Sequence, residues 1–179
     1  MRVMVAYASK YGATEGIARR IGVVLDERGF DVDVVSCSDT HAASGYDAYV
    51  VGSATYEFNW RKDARRFVER NQAELATHPV WLFSSGPLGT ERIDKEGKDV
   101  LEGARPKQFD QYADMLHPRG MQVFRGAYDP DKIRGADRII AWMPAIRDIM
   151  PSGDFREWEA IDAWGMSIAD ALRTVRAQA

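Results

Sequence analysis

The chain has 179 residues, a formal net charge of −3 and a sequence pI near 5.7, so it carries no global basic field, which argues against nucleic acid as its main partner. Hydrophobic residues at 45% and charged residues at 28% describe an ordinary folded chain, long enough to bury a sizeable core in one domain over residues 1–179, and exclude a disordered one. A lone cysteine, Cys37, excludes an intramolecular disulfide and a multi-thiolate metal site.

Five apolar runs read as strands: 2–8 (RVMVAYA), 31–36 (DVDVVS), 47–53 (DAYVVGS), 79–85 (PVWLFSS) and 121–128 (MQVFRGAY). The first, third and fourth are apolar on both faces, whereas the second alternates like a strand with one exposed face. After the first strand, Ile17, Ile21, Val24 and Leu25 fall on one face of a helix closed by Gly29. The connection 37–45 (CSDTHAASG) is too short for a long helix, so that crossover is brief. Ala64, Phe67, Val68 and Leu75 mark the next helix, and the polar segment 90–120 reads as a loop with one helix. Farther on, Ile139, Trp142, Met143, Ile146, Ile149 and Met150 form an apolar stripe that Pro144 kinks or splits. It reads as a helix packed on the sheet or as an apolar ledge, with Arg134, Arg138 and Arg147 beside it as solvated cations or a lure for anions. Last, Trp158, Ile161, Trp164, Ile168, Leu172 and Val175 recur at helical spacing along an amphipathic terminal helix.

Strands alternating with helices predict an α/β fold with a parallel sheet covered on both faces. Ligands of such sheets bind beyond the carboxyl ends of the strands. Just there, Ser9, Lys10, Tyr11, Gly12, Ala13 and Thr14 offer hydroxyls, a turn-forming glycine and backbone N–H groups where a helix starts. Two readings stand for these residues: a phosphate seat, or a turn in which Ser and Thr cap the helix. They match neither the dinucleotide fingerprint nor the P-loop. The third strand runs into 53–60 (SATYEFNW), with Ala54, Thr55, Tyr56, Glu57, Phe58 and Trp60. The fourth ends in Ser84, Ser85, Gly86, Pro87, Leu88 and Gly89. An aromatic loop facing a Gly-rich one makes a slot for a flat heteroaromatic ring.

These three loops together resemble the flavodoxin-like family. The family's phosphate loop, (T/S)-x-(T/S/Y)-G-x-T, is similar to Ser9–Thr14, with Lys10 and Ala13 at its variable positions. The loop at Thr55, Tyr56 and Glu57 resembles the family's first ring-binding loop, and Ser84–Gly89 its second. The resemblance implies a three-layer α/β/α sandwich with a five-stranded parallel sheet in the order 2-1-3-4-5. It also implies FMN as cofactor, its phosphate at Ser9–Thr14 and its isoalloxazine between the two ring loops. Glu57 would then disfavour an anionic hydroquinone, because a nearby carboxylate repels it.

Near the C-terminus, Gly153, Asp154, Arg156, Glu157, Trp158, Ile161 and Trp164 resemble the Gly-Asp-x-Arg-(Asp/Glu)-Trp-x-x-Ile-x-x-Trp pattern of the menaquinone-dependent protoporphyrinogen oxidase group. We read it as a family marker and not as a set of catalytic residues; Asp154 would equally serve as a helix cap, with Trp158 and Trp164 in the helix core. Catalytic residues are unassigned, since His41, His78 and His117 are scattered and form no triad or metal cluster. The first strand ends in AYASK without the paired carboxylates a phosphoacceptor domain needs for magnesium. The expected activity is an FMN-dependent oxidoreductase that passes hydride equivalents from a reduced substrate to a quinone. The alternatives are a one-electron carrier serving a redox partner, and a non-enzymatic module holding flavin, deazaflavin or no ligand. Met1 leads directly into strand-like sequence and no stretch approaches ~20 apolar residues, so the expected location is the cytoplasm, with any membrane contact peripheral and the oligomeric state open.

Overall fold

The computed structural model describes residues 1–40, 42–132 and 151–178. In chain order its elements are β1 (Arg2–Ala8), α1 (Ala13–Glu27), β2 (Asp31–Ser36), β3 (Ala48–Tyr56), β4 (Asn59–Trp60), α2 (Lys62–Arg70), α3 (Gln72–Thr77) and β5 (Val80–Ser85). There follow α4 (Val100–Gly103), α5 (Lys107–Leu116), β6 (Gly120–Phe124), β7 (Ala127–Tyr128), a 3-10 turn (Pro130–Lys132), β8 (Gly153–Asp154) and α6 (Trp158–Gln178).

Five parallel strands run in the order β2-β1-β3-β5-β6, with the short β4 folded back antiparallel on the end of β3. Setting β4 aside, this is the expected order 2-1-3-4-5. The central strands β3 and β5 are buried over most of their lengths because both their faces are covered, which explains their unbroken apolar lettering. The edge strand β2 carries Asp31 and Asp33, and Arg2 of β1 reaches both, at 3.4 and 2.8 Å.

Two apolar layers flank the sheet. On one side, Ile17, Ile21 and Leu25 of α1 meet Ile161, Ile168 and Leu172 of α6 over Val3, Val5 and Val50. A fork between Arg20 and Asp162, at 2.5 and 2.6 Å, joins the two helices at their outer edge. On the other side, Phe67 and Val68 of α2, Leu75 of α3 and Phe109, Tyr112 and Leu116 of α5 cover Met4, Val51 and Leu82. Gly52 in β3 sits beneath Phe83 of the neighbouring strand, and a Cβ there would stand far inside contact distance of the ring's Cε1 and Cζ.

Four expectations need correction. β3 continues to Tyr56, because Thr55 and Tyr56 pair with Trp60 and Asn59 across a tight hairpin. The fifth strand ends at Phe124; beyond it, Ala127 and Tyr128 pair with Asp154 and Gly153 as a separate ribbon. The helix expected over 64–75 is two, broken at Asn71, whose Oδ1 accepts from the Ala43 N–H at 2.9 Å and whose Nδ2 donates to the Phe67 carbonyl at 2.8 Å. That side chain ties the brief crossover to the helical layer, at the cost of helical continuity. The polar segment 90–120 carries two helices, α4 and α5. The apolar stripe from Ile139 to Met150, with Pro144, Arg134, Arg138 and Arg147, lies outside the described residues, as does His41.

Candidate functional site

The carboxyl end of β1 opens into the loop Ser9–Gly12. Gly12 is the N-cap of α1, with φ +89° and nothing within 4 Å of where a Cβ would stand, so the left-handed backbone and not crowding requires glycine. Its N–H donates to Ser9 Oγ at 3.0 Å, which closes the turn. Being glycine, this cap offers no side-chain hydrogen bond to the first turn of the helix. Thr14 does not act as a cap either: its side chain is fully buried, and its hydroxyl meets Ser85 Oγ at 2.8 Å. Of the two readings of the loop, the turn reading holds at Ser9, whose hydroxyl takes the Gly12 N–H, and not at Thr14; the N-cap residue itself gives the first helical turn no side-chain hydrogen bond. The start of a fifteen-residue helix, with its free N–H groups and positive dipole end, borders the cleft at Ala13 and Thr14.

The cleft is bounded by three further pieces of chain. Ala54, Thr55 and Tyr56 come from the end of β3, and Ser85, Gly86 and Leu88 from the end of β5. Gly126, Ala127 and Tyr128 form a third wall, where Tyr128 packs with Tyr11 and Leu88. The space totals about 520 Å³, solvent at its mouth included. Lys10 places its ammonium over the Tyr11 ring, 5.1 Å from the centroid.

Other expected site residues lie beside the cleft. Ser84 is buried behind it, hydrogen-bonded to the Thr55 hydroxyl. Glu57 and Phe58 make the β3–β4 turn, both with positive φ (49° and 61°), as a two-residue hairpin requires. Together with Pro87 they border a second cavity that shares Thr55 and Gly86 with the first and is completed by Asp94, Val100, Gly103 and Ala104. Trp60 is not brought to the cleft: it is 1% exposed and packs edge-on against Phe109 and Tyr112, because the hairpin turns it into the α5 layer. Gly89 stands at the far end of its loop, where Arg125 Nη1 donates to its carbonyl at 2.7 Å.

The sequence reading missed Arg125, Gly126, Ala127 and Tyr128. Arg125 is buried, and its two Nη groups hold the carbonyls of Gly89 and Glu91, both at 2.7 Å, which pins the Gly-rich loop. A glycine two residues before Tyr128 was the available signal for a chain break at the end of the fifth strand. His78 and His117 are the C-caps of α3 and α5, and His78 Nδ1 lies 2.8 Å from the Glu74 carbonyl. Asp94, beside the second cavity, is held below the usual carboxylate range, chiefly by the Lys98 backbone N–H at 2.9 Å, so it stays charged.

A parallel sheet with an open cleft at its carboxyl edge, gathered round a glycine-capped helix start, defines a mononucleotide-binding α/β domain. The family model described as "Flavodoxin domain" matches residues 4–149, and the chain belongs to that family. Among solved structures, it is similar to a flavodoxin from the domain Archaea (18% identity, TM-score 0.60, covering 97% of this chain and 99% of that one). It is similar also to oxidised Flavodoxin 2 from Bacillus cereus (18% identity, TM-score 0.59, 96% and 99%). Rubredoxin oxygen:oxidoreductase from Desulfovibrio gigas matches at 14% identity and TM-score 0.61 over 97% of this chain, which spans 36% of that longer protein. At these identities the likeness establishes the fold.

The flavodoxin domain indicates FMN as the cofactor. The residues present suit it: a helix start whose glycine cap gives no side-chain hydrogen bond, with Ser9, at one end, and Thr55, Tyr56, Gly86, Leu88 and Tyr128 lining the other. Among the described residues, no helix is long and apolar enough to cross a membrane.

Proposed function

We propose that this flavodoxin-domain flavoprotein is an FMN-dependent oxidoreductase whose electron acceptor is a small neutral ring compound of the quinone class. Bound FMN would supply the one- and two-electron redox chemistry. Ser9–Thr14 would hold its phosphate, and Thr55, Tyr56, Ser85, Gly86 and Leu88, which line the cleft, would hold its ring.

The observation that carries the acceptor class is the second cavity. It shares Thr55 and Gly86 with the cleft, and Phe58, Pro87, Val100 and Ala104 give it an apolar lining. That suits a small ring compound brought up to the flavin edge. Glu57 and Asp94 beside it disfavour a polycarboxylate such as a porphyrinogen by like-charge repulsion, so the C-terminal likeness to protoporphyrinogen oxidases supports the quinone half of that reaction better than the porphyrin half. A second reading, a one-electron carrier, is favoured by the exposure of Tyr56 and of Phe58 (54%) at the tip of the hairpin, where a protein partner would dock.

The test is to purify the protein, measure flavin absorbance and mass, then mix the reduced form anaerobically with a soluble menaquinone analogue and, separately, with a one-electron acceptor. Rapid two-electron reoxidation by the quinone supports the enzyme. Accumulation of a stable semiquinone, with slow quinone turnover, supports the carrier. A colourless protein that takes up no FMN overturns both.

A further inference from the structure

The C-terminal segment Gly153–Trp158, which carries the Gly-Asp-x-Arg pattern and has no assigned role, meets the cleft at two of its sides, the Gly126–Tyr128 wall and the start of α1. Gly153 and Asp154 pair with Tyr128 and Ala127 of the third wall, and the Phe155 N–H donates to the Gly126 carbonyl at 3.1 Å. Glu157 lies 3.6 Å from Arg125, the side chain that pins the Gly-rich loop. Between them, Arg156 turns toward α1. Its Nε and Nη2 form a fork with the two oxygens of Asp154, at 2.7 and 2.6 Å. Its guanidinium lies 4.4 Å above the Trp158 ring, and its Nη1 donates to the Ala13 carbonyl at 3.3 Å. One turn along the helix, Gly16 makes room for it: a Cβ there would overlap the guanidinium.

A cation beside the first turn of a helix opposes the helix dipole, so on its own it weakens the fold. Here the side chain is only 16% exposed and is held from three directions, by Asp154, Trp158 and Ala13. Holding it there is favourable once an anion sits at the helix start, because the positive charge then works with the N–H groups. We propose that Arg156 is a positioning residue for the phosphate end of the cleft: fixed by Asp154 and Trp158, it locks the Ala13–Gly16 turn in the form that receives a phosphate. The proposal rests on FMN as the ligand.

Riboflavin separates this role from a plain structural brace, since it shares the ring and ribityl chain of FMN and lacks the phosphate. Titrating wild-type protein, Arg156→Ala, Arg156→Lys and Gly16→Ala with each flavin, followed by fluorescence quenching, gives the ratio of the two affinities. Loss of a charge-assisted bond predicts that Arg156→Ala and Gly16→Ala weaken FMN about tenfold, leave riboflavin within about twofold, and that Arg156→Lys falls between. The phosphorus resonance of bound FMN shifts in the same variants. If both flavins lose affinity equally, Arg156 is a brace only and the proposal fails. An unchanged FMN affinity also overturns it. Should Arg156→Ala not fold, Asp154→Asn loosens the same guanidinium, and the same ratio decides. Wild-type protein that binds neither flavin overturns the FMN reading itself, a result distinct from a wild type that binds FMN with variants that do too.

Discussion

Thr14 of α1 and Ser85 of β5 join their hydroxyls at 2.8 Å, both side chains buried, across 71 positions of sequence. This bond ties the helix start beside the Ser9–Gly12 loop to the end of the strand that carries the Gly-rich loop. Removing one partner leaves a buried hydroxyl without it, so Thr14→Val and Ser85→Ala are each expected to lower unfolding free energy by about 1–3 kcal/mol in urea titrations. Thr14→Ala is further expected to weaken FMN indirectly, because the same bond holds the start of α1 at the cleft. In a double-mutant cycle the two losses should not add. Full additivity would show that the hydroxyls act independently.

Gly52 and Phe83 form a second interlocked pair. A methyl group at 52 clashes with the edge of the Phe83 ring in the middle of the sheet, so Gly52→Ala is expected to cost about 1–3 kcal/mol by overpacking. Combining it with Phe83→Leu should recover part of that loss. Equal midpoints for Gly52→Ala and wild type would contradict the packing described.

The Arg20–Asp162 fork links α1 to α6 and sets a pH dependence. The hydrogen bond from Arg20 holds the Asp162 carboxyl below its ordinary range in the folded protein. A depressed folded pKa contributes stability above the unfolded pKa, and that contribution is lost as pH falls through the folded value. Wild-type protein should therefore melt higher than Asp162→Asn at pH 7, with the gap closing under acid. A gap that is constant down to the lowest pH at which both fold would count against the ion pair.

Cys37 is 5% exposed, and burial pushes its thiol up to about 12. Since the thiolate is the reactive form, native protein should resist iodoacetamide at neutral pH and take up one equivalent after unfolding. Mass spectrometry reads the outcome directly, and rapid native labelling would refute the burial.

Much of the fold was legible because both of its periodicities are local. The apolar runs of β1, β3 and β5 mark strands covered on both faces, and Ile17, Ile21 and Leu25 mark the α1 face that the sheet covers. Gly12 announced a turn that its φ of +89° requires. Element ends were less legible. Thr55 and Tyr56 read as loop because their partners, Trp60 and Asn59, lie beyond a turn built from Glu57 and Phe58, residues without a turn signature. Trp60 read as a ring-slot residue for the same reason, since an aromatic side chain serves a core and a cleft equally well until the hairpin chooses its side.

The amino-acid sequence by itself determined the alternation of elements, the sheet's coverage and the loops that close the strand ends, because these depend on patterns a few residues long. Only the tertiary structure decided which side chains meet there. Thr14 with Ser85, Tyr11 with Tyr128, and Arg156 with Ala13 are joined by the order of the strands and the return of the C-terminal segment, and contacts between residues so far apart in the chain leave no periodic trace in it.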